Sequence, residues 1–186
     1  MNRITIIPPS EFRTSRWSGG STTELFIWPE GASYAERRFR ARISSAAVEL
    51  EESVFTPLPG VKRFLTPLCR GFSLTVNGNA AELPHGSVLE FSGSDKVVCR
   101  GSGRDLNLML KDCGGEMRIV SGGFIARAPI SFVYSERGGS LRFAVEGGEA
   151  GFELPAGAFA RLAPGKYRAQ NPAVLFEVFP EAPVSE

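Results

Sequence analysis

The sequence predicts an all-β protein built from two related antiparallel modules with little helix, and three observations predict it. A segment recurs: Gly71-Phe72-Ser73-Leu74-Thr75-Val76-Asn77-Gly78 returns about 70 residues later as Ser140-Leu141-Arg142-Phe143-Ala144-Val145-Glu146-Gly147. After a two-residue insertion, Glu82-Leu83-Pro84-His85-Gly86 returns as Glu153-Leu154-Pro155-Ala156-Gly157. Each copy reads as an alternating strand, a polar turn, a short strand ending in Leu-Pro-X-Gly, another strand, a Gly or Pro turn and an apolar strand. The ordered segments show no apolar 3.6-residue period, and the 21 Gly and 13 Pro punctuate the whole chain as turns.

Taken in order, strands are expected over 3–7, 24–28, 39–46, 61–68, 72–76, 87–91, 96–100 and 105–111. In the second part they are expected over 117–120, 130–134, 141–145, 158–162 and 173–179. Helix is limited to a turn around Pro9 to Arg13 or Ser33 to Arg37. No Pro- or Ser-rich linker separates the halves, so the glycine run from Gly114 to Gly123 is read as the boundary between residues 1–113 and 114–186. Modules of about 70 residues are marginal alone but bury one sizeable core together. Repeats of this kind suggest a jelly roll or cupin-like barrel whose mouth opens to a ligand, the chain being one pseudo-symmetric body or two tightly joined small barrels.

Composition removes several functions. The 21 Lys and Arg nearly balance 20 Asp and Glu, and no basic run is dense enough to track a phosphate backbone, so no nucleic acid is expected as partner. No apolar stretch approaches the roughly 18 residues of a membrane span, and Met1 to Pro9 lacks a signal-like apolar region, so a cytoplasmic location is expected. Cys69, Cys99 and Cys113 form no Cys-X-X-Cys pair and fit reduced thiols; Cys69 and Cys99 lie in strand-like segments. The single histidine, His85, sits in the Leu-Pro-His-Gly turn, and one imidazole cannot assemble the histidine-carboxylate site that many such barrels hold. Neither a metal nor another cofactor is therefore expected.

The segment Trp17-Ser18-Gly19-Gly20-Ser21-Thr22-Thr23-Glu24-Leu25, continued by Trp28-Pro29-Glu30-Gly31, resembles the N-terminal signature of the HutD/Ves family. Further matches follow in order: Arg42-Ile43-Ser44-Ser45-Ala46 with Val48 to Ser53, Leu58 to Arg63, Phe91-Ser92-Gly93, and Asp105-Leu106-Asn107-Leu108-Met109. Leu106 departs from the pattern, which usually has Phe there. The resemblance covers most of residues 2 to 111 and implies a two-cupin fold without a cupin metal site. It also implies a link to bacterial histidine utilisation, through binding of a small metabolite such as formylglutamate or urocanate rather than through an established catalytic activity.

Along Phe39 to Ser44 a period of two sends Phe39, Ala41 and Ile43 to one face and Arg40, Arg42 and Ser44 to the other. Along Asp105 to Leu110 it separates Leu106, Leu108 and Leu110 from Asp105, Asn107 and Met109. Periodicity alone favours a solvated exterior for the polar faces. The resemblance reverses this for Arg42, Asn107 and Arg63, which lie inside its motifs. A guanidinium near a barrel mouth grips a carboxylate through two bonds, and Asn107 both donates to and accepts from an amide or formyl group. Trp17 and Phe91 are candidate apolar walls, a packed core role being the alternative for Trp17. Gly19 and Gly20 either expose N–H groups to an anion or make a tight turn. Glu24 orients an arginine or acts as a base, and Ser44 and Asp105 complete the candidate set. Two functions follow: a non-catalytic sensor of a small anionic metabolite, or a metal-independent isomerase or hydrolase with Glu24 or Asp105 as base. A homodimer formed through flat sheet faces is a third expectation.

Overall fold

The computed structural model describes residues 3–68 and 70–181. Cys69, expected in a strand-like segment, lies outside the described residues. Apart from a single 3₁₀ turn at Pro9–Glu11, the named elements are strands, all paired antiparallel. In chain order they are β1 (Ile4–Ile6), β2 (Arg13–Trp17), β3 (Gly20–Trp28), β4 (Ala41–Val48), β5 (Glu52–Val54), β6 (Lys62–Leu68), β7 (Phe72–Val76), β8 (Asn79–Leu83) and β9 (Leu89–Ser92). Then come β10 (Val97–Arg100), β11 (Gly103–Leu110), β12 (Gly114–Ala126), β13 (Ile130–Ser135), β14 (Gly139–Val145), β15 (Gly148–Leu154), β16 (Ala158–Leu162) and β17 (Gly165–Phe179).

The chain divides into two compact units. Phe12–Cys113 forms one, and the residues before it join those from Gly114 onward in the other. The first residues do not belong with the 12–113 unit as the sequence suggested: β1 pairs with β16, Ile4 opposite Leu162. The glycine run from Gly114 to Gly123 is strand rather than linker. It pairs with β17 over most of its length, with an irregularity between Val120 and Gly122. Its glycines read as punctuation, but the partner strand supplies hydrogen bonds that do not depend on side chains.

In the 12–113 unit, a six-stranded sheet runs β2-β3-β4-β11-β6-β9 and a four-stranded sheet runs β5-β10-β7-β8. Leu65, Phe72, Leu74, Leu83, Phe91, Val97 and Cys99 form one apolar cluster in this unit. The other unit holds the sheet β1-β16-β13-β17-β14-β15, with β12 on β17, around a core that includes Val133, Leu141, Ala160, Leu162 and Leu175.

The repeat detected in the sequence is a repeated hairpin. β7 and β8 turn at Asn77-Gly78, and β14 and β15 turn at Glu146-Gly147. Asn77 (φ 52°), Gly78 (86°) and Gly147 (81°) occupy the left-handed region that tight hairpin turns require. Both turns have two residues, so the two-residue insertion lengthens the second strand instead: Phe72 faces Leu83, whereas Leu154 pairs beyond Leu141 with Gly139. A shift of two preserves the face, and Leu83 and Leu154 are both buried. The Leu-Pro-X-Gly turns also match, with Ser87 N–H donating to Pro84 O and Ala158 N–H donating to Pro155 O.

Candidate functional site

The six-stranded sheet of the 12–113 unit places its polar residues in rows. Asn107 on β11 pairs with Ser44 on β4 and Leu65 on β6, and Met109 pairs with Arg42 and Arg63. Asp105 lies opposite Ala46, and β3 brings Thr22 beside Ala46 and Glu24 beside Ser44. These alternate positions share one face, and it is not solvated exterior: Arg42, Ser44, Arg63, Asp105 and Asn107 are all buried. Leu106, Leu108 and Leu110, on the opposite face, are buried as well.

The polar face lines a cavity of about 270 Å³, whose walls include Trp17, Arg42, Ser44, Arg63, Asp105 and Asn107. Trp17, 41% exposed, stands at its edge. Four of the expected residues do not line it. Phe91 lies behind Arg63, with its ring centroid 5.0 Å from the guanidinium carbon. Glu24 lies beside Arg42 and accepts from Arg42 Nε at 2.8 Å. Gly19 and Gly20 shape the β2–β3 turn. A Cβ on Gly19 would fall 2.0 Å from the Trp17 ring, and one on Gly20 (φ 148°) would fall 1.9 Å from Ala47 O. These glycines let the tryptophan ring fold back and β3 approach β4. Sequence reasoning missed Ser15, Thr22, Tyr34, Phe55 and Thr56 on the wall. Tyr34 and Thr56 sit outside the strands, where no periodicity signals them.

The two arginines differ. Arg42 is committed: Glu24 neutralises it, its Nη1 donates to Ser44 Oγ at 3.3 Å, and its guanidinium lies 4.1 Å from the Tyr34 ring centroid. Among the described residues, Arg63 makes no ion pair. Its Nη1 donates to Thr56 O at 3.3 Å, Phe55 and Phe91 lie within about 5 Å of its guanidinium, and its buried Nε has no acceptor. Burial lowers its pKa from the ordinary arginine value, partly offset by Tyr34 and Asp105.

Asp105 is fully enclosed, and burial pushes its pKa up to about 7. A backbone hydrogen bond from Ala46, the charges of Arg63 and Arg104, and Asn107 oppose that rise without cancelling it. Asn107 Nδ2 donates to Asp105 Oδ1 at 2.6 Å, while Asn107 Oδ1 is buried without a donor. The wall thus combines a cation with a free donor, a carboxyl near its midpoint at neutral pH, and an amide with a free acceptor. Among the described residues, no three His, Cys, Asp or Glu side chains come together to hold a metal. Burial raises the pKa of Cys99 to about 12 and that of Cys113 above its usual value, which disfavours their thiolates.

The antiparallel sheets, with a cavity lined in part by buried polar side chains, place the chain among cupin-fold proteins. The Cupin 2 conserved barrel domain protein from Leptotrichia buccalis shares the fold at a TM-score of 0.57 and 14% identity, with 88% of this chain and 91% of that chain covered. The HutD sequence profile matches residues 9–171, and the chain belongs to the HutD family. HutD from Pseudomonas fluorescens SBW25 is similar in structure at a TM-score of 0.75 and 22% identity, covering 95% of this chain and 98% of that one. A conserved protein of unknown function from Pseudomonas aeruginosa PAO1 is similar at 0.75 and 22%, covering 96% and 100%. No curated protein sequence matches this chain. Among the described residues, no helix is long and apolar enough to cross a membrane.

Proposed function

We propose that this protein is a non-catalytic binder of a small carboxylate metabolite, such as formylglutamate or urocanate, and that it acts as a sensor or regulator in histidine utilisation. The observation that carries this reading is Arg63, a buried guanidinium that among the described residues has no ion-pair partner and whose Nε has no acceptor, on the wall of a cavity of about 270 Å³. A ligand carboxylate supplies both the missing acceptor and the missing charge. Calorimetric titration with formylglutamate and urocanate tests it. Replacing Arg63 with Met should weaken the better ligand about tenfold or more, and Lys should restore only part. Undiminished affinity in a folded Arg63→Met protein would contradict the assignment.

Asp105 supports a second reading, a metal-independent isomerase or hydrolase acting on a related acid, because a buried carboxyl near pKa 7 suits proton transfer. Unchanged ligand after prolonged incubation with the protein, followed by NMR, favours the binder. The repeated hairpins support the view that the two units are duplicated cupin modules in one bicupin chain. A cytoplasmic location and a homodimer belong to the same proposal.

A further inference from the structure

Asp105 and Asn107 form a coupled pair two residues apart on the same face of β11, and both line the cavity beside Arg63. An ionised carboxylate only accepts hydrogen bonds, so while Asp105 is charged Asn107 must turn its NH2 toward it, as the 2.6 Å contact shows. The amide oxygen is then left buried without a donor. A protonated carboxyl has a hydroxyl to donate. The favourable arrangement then turns the amide round, its oxygen accepting from Asp105 and its NH2 offered in place of the oxygen.

The surroundings keep both arrangements within reach. Arg63 on β6 and Arg104 on β11 favour the charged form of Asp105, as does the backbone of Ala46 on β4. Arg42 on β4 and Glu24 on β3 largely neutralise one another. Cys99 on β10 is neutral near pH 7, its thiol being held protonated by burial, and Tyr34 shares the cavity wall. Burial of Asp105 outweighs the cations and holds its titration near neutrality.

We propose that Asp105 and Asn107 together set the ligand specificity of this pocket. With Asp105 ionised, Asn107 holds an unpartnered amide oxygen, which favours compact carboxylates that also carry an N–H or O–H donor. With Asp105 protonated, the amide reverses and the preference is lost. This inference rests on Arg63 holding the carboxylate.

Pyrrole-2-carboxylate and furan-2-carboxylate test it, because they share shape and charge and differ in presenting a ring N–H or a ring oxygen. Calorimetry on the wild type should give the pyrrole an advantage of about tenfold at about pH 8, shrinking to within about twofold at about pH 6. In Asp105→Asn the ratio should not change with pH. If both probes bind the wild type with a ratio that is the same at the two pH values, the specificity proposal is overturned while the anion site stands. If neither probe binds, or Arg63→Met leaves both affinities unchanged, the anion site fails and this proposal falls with it. The wild-type comparison decides the matter even if Asp105→Asn does not fold.

Discussion

The two units treat buried polarity in opposite ways. In the unit that follows Cys113, the fully buried carboxylate of Glu177 is satisfied on every side. It accepts from Arg118 Nη2 at 2.9 Å, from Ala128 N–H at 2.9 Å, and from Arg127 N–H. Burial alone would raise its pKa, but these bonds bring it below the ordinary value. On the same face of its sheet the interior is filled, with Phe124 stacked on Tyr167 at 5.6 Å in one buried cluster with Val133, Ala160 and Leu175. A concavity of this unit is a groove lined by the exposed side chains of Arg142, Glu149, Lys166 and Arg168.

The 12–113 unit leaves its polar interior incomplete. Among the described residues, every buried side-chain polar atom without a partner lies there: Ser53 Oγ, Arg63 Nε, Thr66 Oγ1 and Asn107 Oδ1. The last strand of each repeat shows how the difference arises. Where β11 carries Asp105 and Asn107 toward the cavity, β17 carries Ala173 and Leu175 into a core. A satisfied buried group stabilises a fold, whereas an unsatisfied one costs stability and serves a ligand. The comparison teaches that one sheet design supports a packed core or a binding pocket, according to a few inward-facing side chains.

Substitutions at the two kinds of buried charge sharpen this contrast most. Glu177→Ala leaves two backbone N–H groups and Arg118 without their acceptor, and should cost roughly 3 kcal/mol in denaturant unfolding. Arg63→Met removes a buried cation that has no ion-pair partner among the described residues in exchange for an apolar chain of similar length, and should change stability by less than about 1 kcal/mol. Equal losses at both positions would break the distinction between structural and ligand-directed charge.

A smaller effect is tied to pH. The pKa of Asp105 is raised in the folded protein from 3.8 to about 7, so between these values the native state holds a proton that the unfolded chain releases. Its contribution to stability therefore falls as pH rises through that window and is constant above it. Asp105→Asn cannot ionise. Its melting temperature relative to the wild type should rise from acid toward neutral pH, with a gain on the order of 2 kcal/mol at about pH 8. A relative stability that is flat with pH, or that moves the other way, would show that Asp105 is not held protonated by burial.

Much of the fold was legible because its signals are local. The duplicated hairpins could be read from their turns, and the β11 alternation correctly separated Asp105 and Asn107 from Leu106 and Leu108. What alternation does not supply is which face is inside, since here both faces are buried. Only the family resemblance pointed the polar face inward. β2 escaped notice because Arg13-Thr14-Ser15-Arg16-Trp17 is exposed throughout and has no apolar period. The units do divide at Gly114, but the glycine run itself is strand, because pairing with β17 and not composition holds β12 in place. Tyr34 reaches the wall through tertiary contacts with Arg42, which no sequence spacing encodes.

The most direct test of the asymmetry between the units is backbone amide NMR of the whole protein during titration with formylglutamate. Perturbations are expected to concentrate in β4, β6 and β11, strongest around Arg42, Arg63 and Asn107, and to disappear in Arg63→Met. Saturable shifts centred instead on residues 139–168, around Arg142 and Arg168, with β4, β6 and β11 silent, would contradict the assignment of the binding site to the 12–113 unit.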